Sequence, residues 1–183
     1  EGIAMKKGLV EVYCGPGKGK STLAIGRSIR ACAQGKSVIV IQFLKGRESG
    51  ELEFLEKLDQ LDLKIFRFEK SNTRYEDLSD QEKQEEEKNI LNGMNFAKKV
   101  IATEECDLLI LDEIFGVVDY GIISTDDLIH MIGLLDEMHL ILTGDCMPQE
   151  LRSAVDYVTV LKTKSVAELA GECCEGKSAC TDF

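Results

Sequence analysis

The chain has 183 residues, 44% of them hydrophobic and 30% charged, with a formal net charge of −11 and no tryptophan. This suits one soluble globular domain with a substantial core, and the acidic balance argues against nucleic acid or an anionic membrane as a partner. No apolar stretch reaches the length of a bilayer span and no basic-then-apolar leader opens the chain, so the expected compartment is the cytoplasm.

Met5 is a candidate start, and residues 1–4 are set aside from fold reasoning. A single domain is expected over 5–183, with 163–183 a less ordered tail. Leu9 to Tyr13 reads as a strand and Leu23 to Ala33 as a helix. Between them stands Cys14-Gly15-Pro16-Gly17-Lys18-Gly19-Lys20-Ser21-Thr22. Three glycines in five residues leave the backbone uncrowded, so consecutive N–H groups can curl around an anion. The helix that follows aims its free N–H groups and partial positive charge at the same spot. Lys20 is placed to reach outer phosphates and the Ser21 hydroxyl to bind Mg²⁺. The loop is thus a phosphate cradle, although Cys14 stands where the G-x-x-x-x-G-K-[ST] pattern has its first glycine.

Ser37 to Leu44 is a continuous apolar run with β-branched residues, a strand buried on both faces as in a parallel sheet. Residues 45–50 read as a loop, Glu51 to Leu58 as a short helix and Leu63 to Phe68 as a third strand. Ser79-Asp80-Gln81-Glu82 is a capping-box signature opening a long helix, whose Ile90, Met94, Ala97 and Ile101 recur at helical spacing and face the sheet. The acids between Gln81 and Lys88 read as its solvated outer face.

Asp107 to Glu113 is an apolar strand ending in two carboxylates. Acids at the C-terminal edge of a parallel strand, paired with a phosphate loop, suit the metal of a bound nucleotide. Glu113 is therefore a candidate metal ligand; Asp112 is either a second ligand or a cap on the next turn. A helix over Thr125 to Leu135 capped by Ser124, a strand over Met138 to Thr143, a short helix from Pro148 and a last strand over Tyr157 to Leu161 complete an alternating order. That order means a parallel sheet covered on both faces, with ligands at the strands' C-terminal edge. His130 and His139 read as structural.

Of seven cysteines, Cys14, Cys32 and Cys106 sit in apolar runs and read as reduced, small core residues. Cys173, Cys174 and Cys180 near the C-terminus are either exposed thiols on a mobile tail or ligands of a soft metal, although no fourth ligand lies at zinc-site spacing.

With these motifs in hand, the sequence resembles the ATP:corrinoid adenosyltransferases of the CobA/CobO/BtuR type. Gly15 to Thr22 is similar to the family's G-N-G-K-G-K-T-T, Gln42-Phe43-Leu44-Lys45-Gly46 to its Q-F-I-K-G, and Gly50-Glu51 to the G-E that follows. Leu111-Asp112-Glu113 resembles its L-D-E, Thr143-Gly144 and Ala154-Val155-Asp156 its later T-G and A-D-x-V, and Gly26 and Arg30 a glycine and an arginine on its first helix. The likeness spans roughly residues 8 to 162.

It implies a three-layer P-loop NTPase (RecA-like) α/β fold with a mostly parallel central sheet. It also implies a homodimer, ATP and a corrinoid as substrates, Mg²⁺ or Mn²⁺ as the metal, and a flavoprotein reductant as a candidate partner. In that chemistry reduced cobalt(I) attacks the ribose 5′-carbon of ATP, held in the reverse of the usual P-loop sense, and triphosphate leaves. Cobalt is its own nucleophile, so the protein needs no base. It must supply cations for the leaving group, here Lys18, Lys20 and a metal on Ser21 and Glu113, and alignment of the reacting atoms.

Arg30 is a candidate nucleotide contact or a surface ion-pair partner. Tyr75 is the one aromatic in Ser71 to Leu78, where the family covers the corrinoid with aromatics including a tryptophan. Pro16 replaces an asparagine and Asp145 a basic residue after the T-G. Two other readings remain at this stage. One is a P-loop ATPase or phosphotransferase, with Asp112 its candidate positioning residue; the other is a non-catalytic nucleotide- or corrinoid-binding module.

Overall fold

The computed structural model describes residues 8–44, 50, 54, 55, 57, 58, 60–71 and 73–173. Six strands form one sheet in the order β3-β2-β4-β5-β1-β6: β1 (Val10–Cys14), β2 (Val38–Gln42), β3 (Leu63–Arg67), β4 (Leu108–Asp112), β5 (His139–Thr143) and β6 (Tyr157–Val160). Every pairing is parallel. β5 stands between the loop strand β1 and the acid-tipped β4, the arrangement expected of a RecA-like P-loop core.

Helix α1 (Lys20–Ala33) covers one face, where Ala24 and Ala31 pack on Tyr13, Val38, Val40, Leu108, Ile110 and Ile141. The other face carries α2 (Asp80–Thr103), α3 (Ile114–Asp119) and α4 (Thr125–Ile132). There Ile90, Met94, Ala97, Phe115, Leu128 and Met131 close over Val12, Ile39, Ile41, Leu109, Leu111, Leu140 and Leu142. Strands facing helices on both sides have no solvent face, so β2 and β4 are buried throughout and read as unbroken apolar runs.

The differences from expectation lie at ends and edges. Helix α1 begins three residues before Leu23, directly at the loop. Leu44 takes a left-handed φ of 55° just past β2, which ends that strand at Gln42. α4 stops at Ile132, and the turn after Pro148 is a 3₁₀ turn, Gln149–Ser153. β6 is exposed throughout, because it is an edge strand paired only with β1. In the expected tail, α5 (Val166–Cys173) forms a helix. Half of the expected Glu51 to Leu58 helix, and Cys174 and Cys180, lie outside the described residues. Cys14 and Cys106 are buried as expected, whereas Cys32 is only half-buried.

The capping box at α2 is present. Glu82 N–H donates to Ser79 Oγ at 3.4 Å and Ser79 N–H to Glu82 Oε2 at 2.8 Å. Ser79→Ala should lower unfolding free energy by about 1 kcal/mol, read as a lower urea midpoint at unchanged slope.

Candidate functional site

The loop after β1 turns twice through left-handed glycine conformations, at Gly15 (φ 109°) and Gly19 (φ 103°). It lies tight against the chain that leaves β6. A Cβ on Gly15 would come within 2.4 Å of the Leu161 carbonyl oxygen, and one on Gly17 within 2.7 Å. Three of the loop's N–H groups already have acceptors. Gly15 donates to Asp145 O at 2.8 Å, Gly17 to Leu161 O at 2.9 Å and Lys18 to Thr163 Oγ1 at 2.9 Å. The cradle's donors for an anion are therefore at the head of α1, where first-turn N–H groups lack helical acceptors, together with the two lysines.

Lys20 is largely covered, and its ammonium is turned back into the loop. It donates to Gly15 O at 2.8 Å and Gly17 O at 3.1 Å, and pairs with Asp145 Oδ1 at 2.8 Å. Lys18 and Pro16 are exposed at the mouth, as is Thr22 on the first turn of α1.

Ser21 Oγ donates to Asp112 Oδ1 at 2.9 Å, which brings the loop hydroxyl onto the tip of β4. Asp112 is 2% exposed. Thr143 Oγ1 also donates to its Oδ1 at 2.7 Å, and Gln42 Nε2 to its Oδ2 at 3.0 Å. Glu113 takes a left-handed φ of 64°, with its N–H on Thr143 Oγ1 at 2.9 Å. Its side chain, unlike the buried Asp112, borders the space beyond the strand tip.

That space is a cleft of about 420 Å³ beside the loop, lined by Leu44, Arg74, Tyr75, Glu76, Glu113, Gly116, Asp119, Tyr120 and Asp145. The rings of Tyr75 and Tyr120 pack with centroids 4.6 Å apart. Each hydroxyl is fixed by a carboxylate, Tyr75 on Glu87 at 2.7 Å and Tyr120 on Glu76 at 2.8 Å. Burial first, then those carboxylates, push both phenols up to about 12, so both remain neutral donors.

Sequence reasoning missed Tyr120, because nothing local marks its approach to a segment over forty residues earlier. It also missed the work of the acids on α2. Glu86, buried rather than solvated, accepts from Lys70 N–H at 3.0 Å, and Glu87 holds Tyr75, so this run anchors the segment bearing the cleft's ring.

Arg30 is not brought to the loop. It lies on the last turn of α1, ten residues and roughly 15 Å along the helix from Lys20. There it lines a separate cleft with Arg27, Lys36, Asp107 and His139 at the opposite edge of the sheet.

A glycine-rich loop between β1 and α1, a hydroxyl tied to an acid at the tip of β4, and a wholly parallel sheet define a P-loop nucleotide-binding protein. Within that class the chain belongs to the ATP:corrinoid adenosyltransferase BtuR/CobO/CobP family, whose sequence profile matches residues 6–169. A corrinoid adenosyltransferase of Escherichia coli strain K12 is 27% identical over 171 residues, 91% of this chain and 82% of its own length. Corrinoid adenosyltransferase CobA of Salmonella typhimurium shows the same values. A corrinoid adenosyltransferase of a Sinorhizobium species is 31% identical over 167 residues, 86% of this chain and 73% of its own.

Because Asp145 competes for the Lys20 ammonium, Asp145→Asn should free that charge for an anion. Inorganic triphosphate, titrated calorimetrically, should bind about two- to fivefold tighter, the range for an exposed pair.

Proposed function

We propose that the protein transfers the 5′-deoxyadenosyl group of ATP to the cobalt(I) of a corrinoid and releases triphosphate. The observation that carries this reading is the shared wall between loop and cleft. Asp145 pairs with the loop's Lys20 and lines the aromatic cleft, and Glu113 follows the acid that holds Ser21 and lines that same cleft. A nucleotide gripped by its phosphates in the loop has its ribose end directed at a second compartment walled by flat rings.

The cobalt(I) electron pair forms the bond to the 5′-carbon, the carbon–oxygen bond breaks, and its pair leaves on the triphosphate. This chain's part is to neutralise and orient. Lys18, Lys20 and the Gly19 to Thr22 end of α1 meet the developing charge on the leaving group. Tyr75 and Tyr120 hold the ring system against the reacting carbon.

The donor set suits a hard cation. Ser21 commits its proton to Asp112, so toward a metal its oxygen acts as an acceptor, and Glu113 brings a carboxylate to the same cleft. Mg²⁺ (or Mn²⁺) needs few protein ligands when phosphates and water supply the rest, in keeping with the absence of a three-ligand cluster among the described residues. When bound, such an ion offsets charge on the triphosphate.

We further place the protein in the cytoplasm as a homodimer that receives cobalt(I) from a flavoprotein reductant. Among the described residues no helix is long and apolar enough to cross a membrane, and the exposed edge strand β6 offers a face for a second copy. A phosphotransferase would need a residue to position water or a hydroxyl against the terminal phosphate. Asp112, the candidate for that role, already accepts from Ser21, Gln42 and Thr143.

Incubation with MgATP and chemically reduced cobalamin should give triphosphate and the spectrum of a cobalt–carbon bond. ADP with phosphate would favour the phosphotransferase, and ATP binding without turnover a non-catalytic module. Lys20→Ala should lower kcat/KM for ATP about a hundredfold; near-normal activity would refute the loop assignment. Tyr75→Ala should leave ATP affinity unchanged and raise the corrinoid KM, and an unmoved KM would remove Tyr75 from the site.

A further inference from the structure

Four strand tips carry one polar row on the α1 side of the sheet. Gln42 is in register with Asp112 on β4 and with Arg67 on β3, and Thr143 ends β5 beside Asp112. Arg67 Nε donates to Gln42 Oε1 at 3.0 Å, and Gln42 Nε2 donates to Asp112 Oδ2 at 3.0 Å. The amide's orientation is unambiguous, since the guanidinium has no acceptor and the carboxylate no donor. Both Gln42 and Asp112 are 2% exposed. The row ends on Ser21, whose hydroxyl shares Asp112 Oδ1 with Thr143.

We propose that Gln42 is a positioning residue for the metal–triphosphate site, acting through Asp112 on Ser21. This rests on the reading of the loop as a MgATP cradle, but not on the identity of the acceptor. Two hydroxyls donate to Oδ1 and the Gln42 amide to Oδ2, so Gln42 fixes the carboxylate from the side opposite the loop. Fixed so, Asp112 claims the Ser21 proton. The positive charge of Arg67 on the amide oxygen polarises Gln42 and strengthens its donation at the far end. Without that donor, the buried carboxylate loses one of the bonds that fix its orientation, and the Ser21 hydroxyl it accepts from is directed less firmly.

The signature is therefore selective. Gln42 should govern the part of nucleotide affinity that depends on the metal and not the part that depends on the lysines and the head of α1. ATP binding is measured by calorimetry with excess Mg²⁺ and again in EDTA, for the wild-type protein, Gln42→Met and Gln42→Glu. The glutamate keeps the size and the acceptor for Arg67 and sets a second carboxylate, in place of the donor, against Asp112. In both variants affinity with Mg²⁺ should fall about tenfold, as when an outer partner of a metal site is removed, while affinity in EDTA stays at the wild-type value. Equal losses with and without Mg²⁺, or no loss, would overturn the proposal. If Gln42→Met does not fold, Gln42→Glu decides alone. Wild-type protein that binds MgATP but fails to adenosylate cobalamin would sink the proposed reaction and leave this inference standing; wild-type protein that does not bind MgATP would sink both.

Discussion

The Asp112 carboxylate, closed off from water at the tip of a central strand, fixes the relation between the phosphate loop and the sheet. A buried carboxylate stripped of its partners costs several kcal/mol, so the elements that supply its donors are held to it. Those donors come from the first turn of α1, from β2 and from β5. The loop and three strands cannot shift relative to one another without breaking a hydrogen bond to that buried carboxylate. Thr143, by also accepting the Glu113 N–H, passes the same constraint to the residue whose side chain looks into the cleft.

What the sequence made legible was decided by local spacing. Val38 to Ile41 and Leu108 to Leu111 are short, wholly apolar runs, the first of them β-branched throughout, and strands covered on both sides leave that mark. The capping box at Ser79 and the glycines around Lys18 are equally local, and both were readable. Helix α3 was not, because its Ile-Phe-Gly-Val-Val run continues the apolarity of β4 and its N-cap, Glu113, makes no side-chain cap. β6 reads as a strand from Tyr-Val-Thr-Val, but whether a strand is central or at an edge depends on sheet order. The partners that complete the site, Asp145 on Lys20, Tyr120 on Tyr75 and Arg67 on Gln42, are tertiary and leave no local trace.

The cleft accounts for how a chain without tryptophan can present an aromatic wall. Two phenols in contact approximate the area of a larger ring system, and carboxylates on Glu76 and Glu87 hold each hydroxyl in place. Both supports trace to residues on or beside the acidic start of α2. Charge that composition alone assigns to solubility here stiffens a binding surface.

The cradle is also not made by its own segment. Its glycines touch the backbone at Leu161, and the Lys18 N–H is satisfied by a hydroxyl 145 positions further along the chain. During synthesis the glycines emerge well before the wall that shapes them. Contacts this distant in sequence form late because the intervening loop must close first. A nascent chain that stops short of β6 therefore carries the glycine motif without its form, which arrives only as β6 docks.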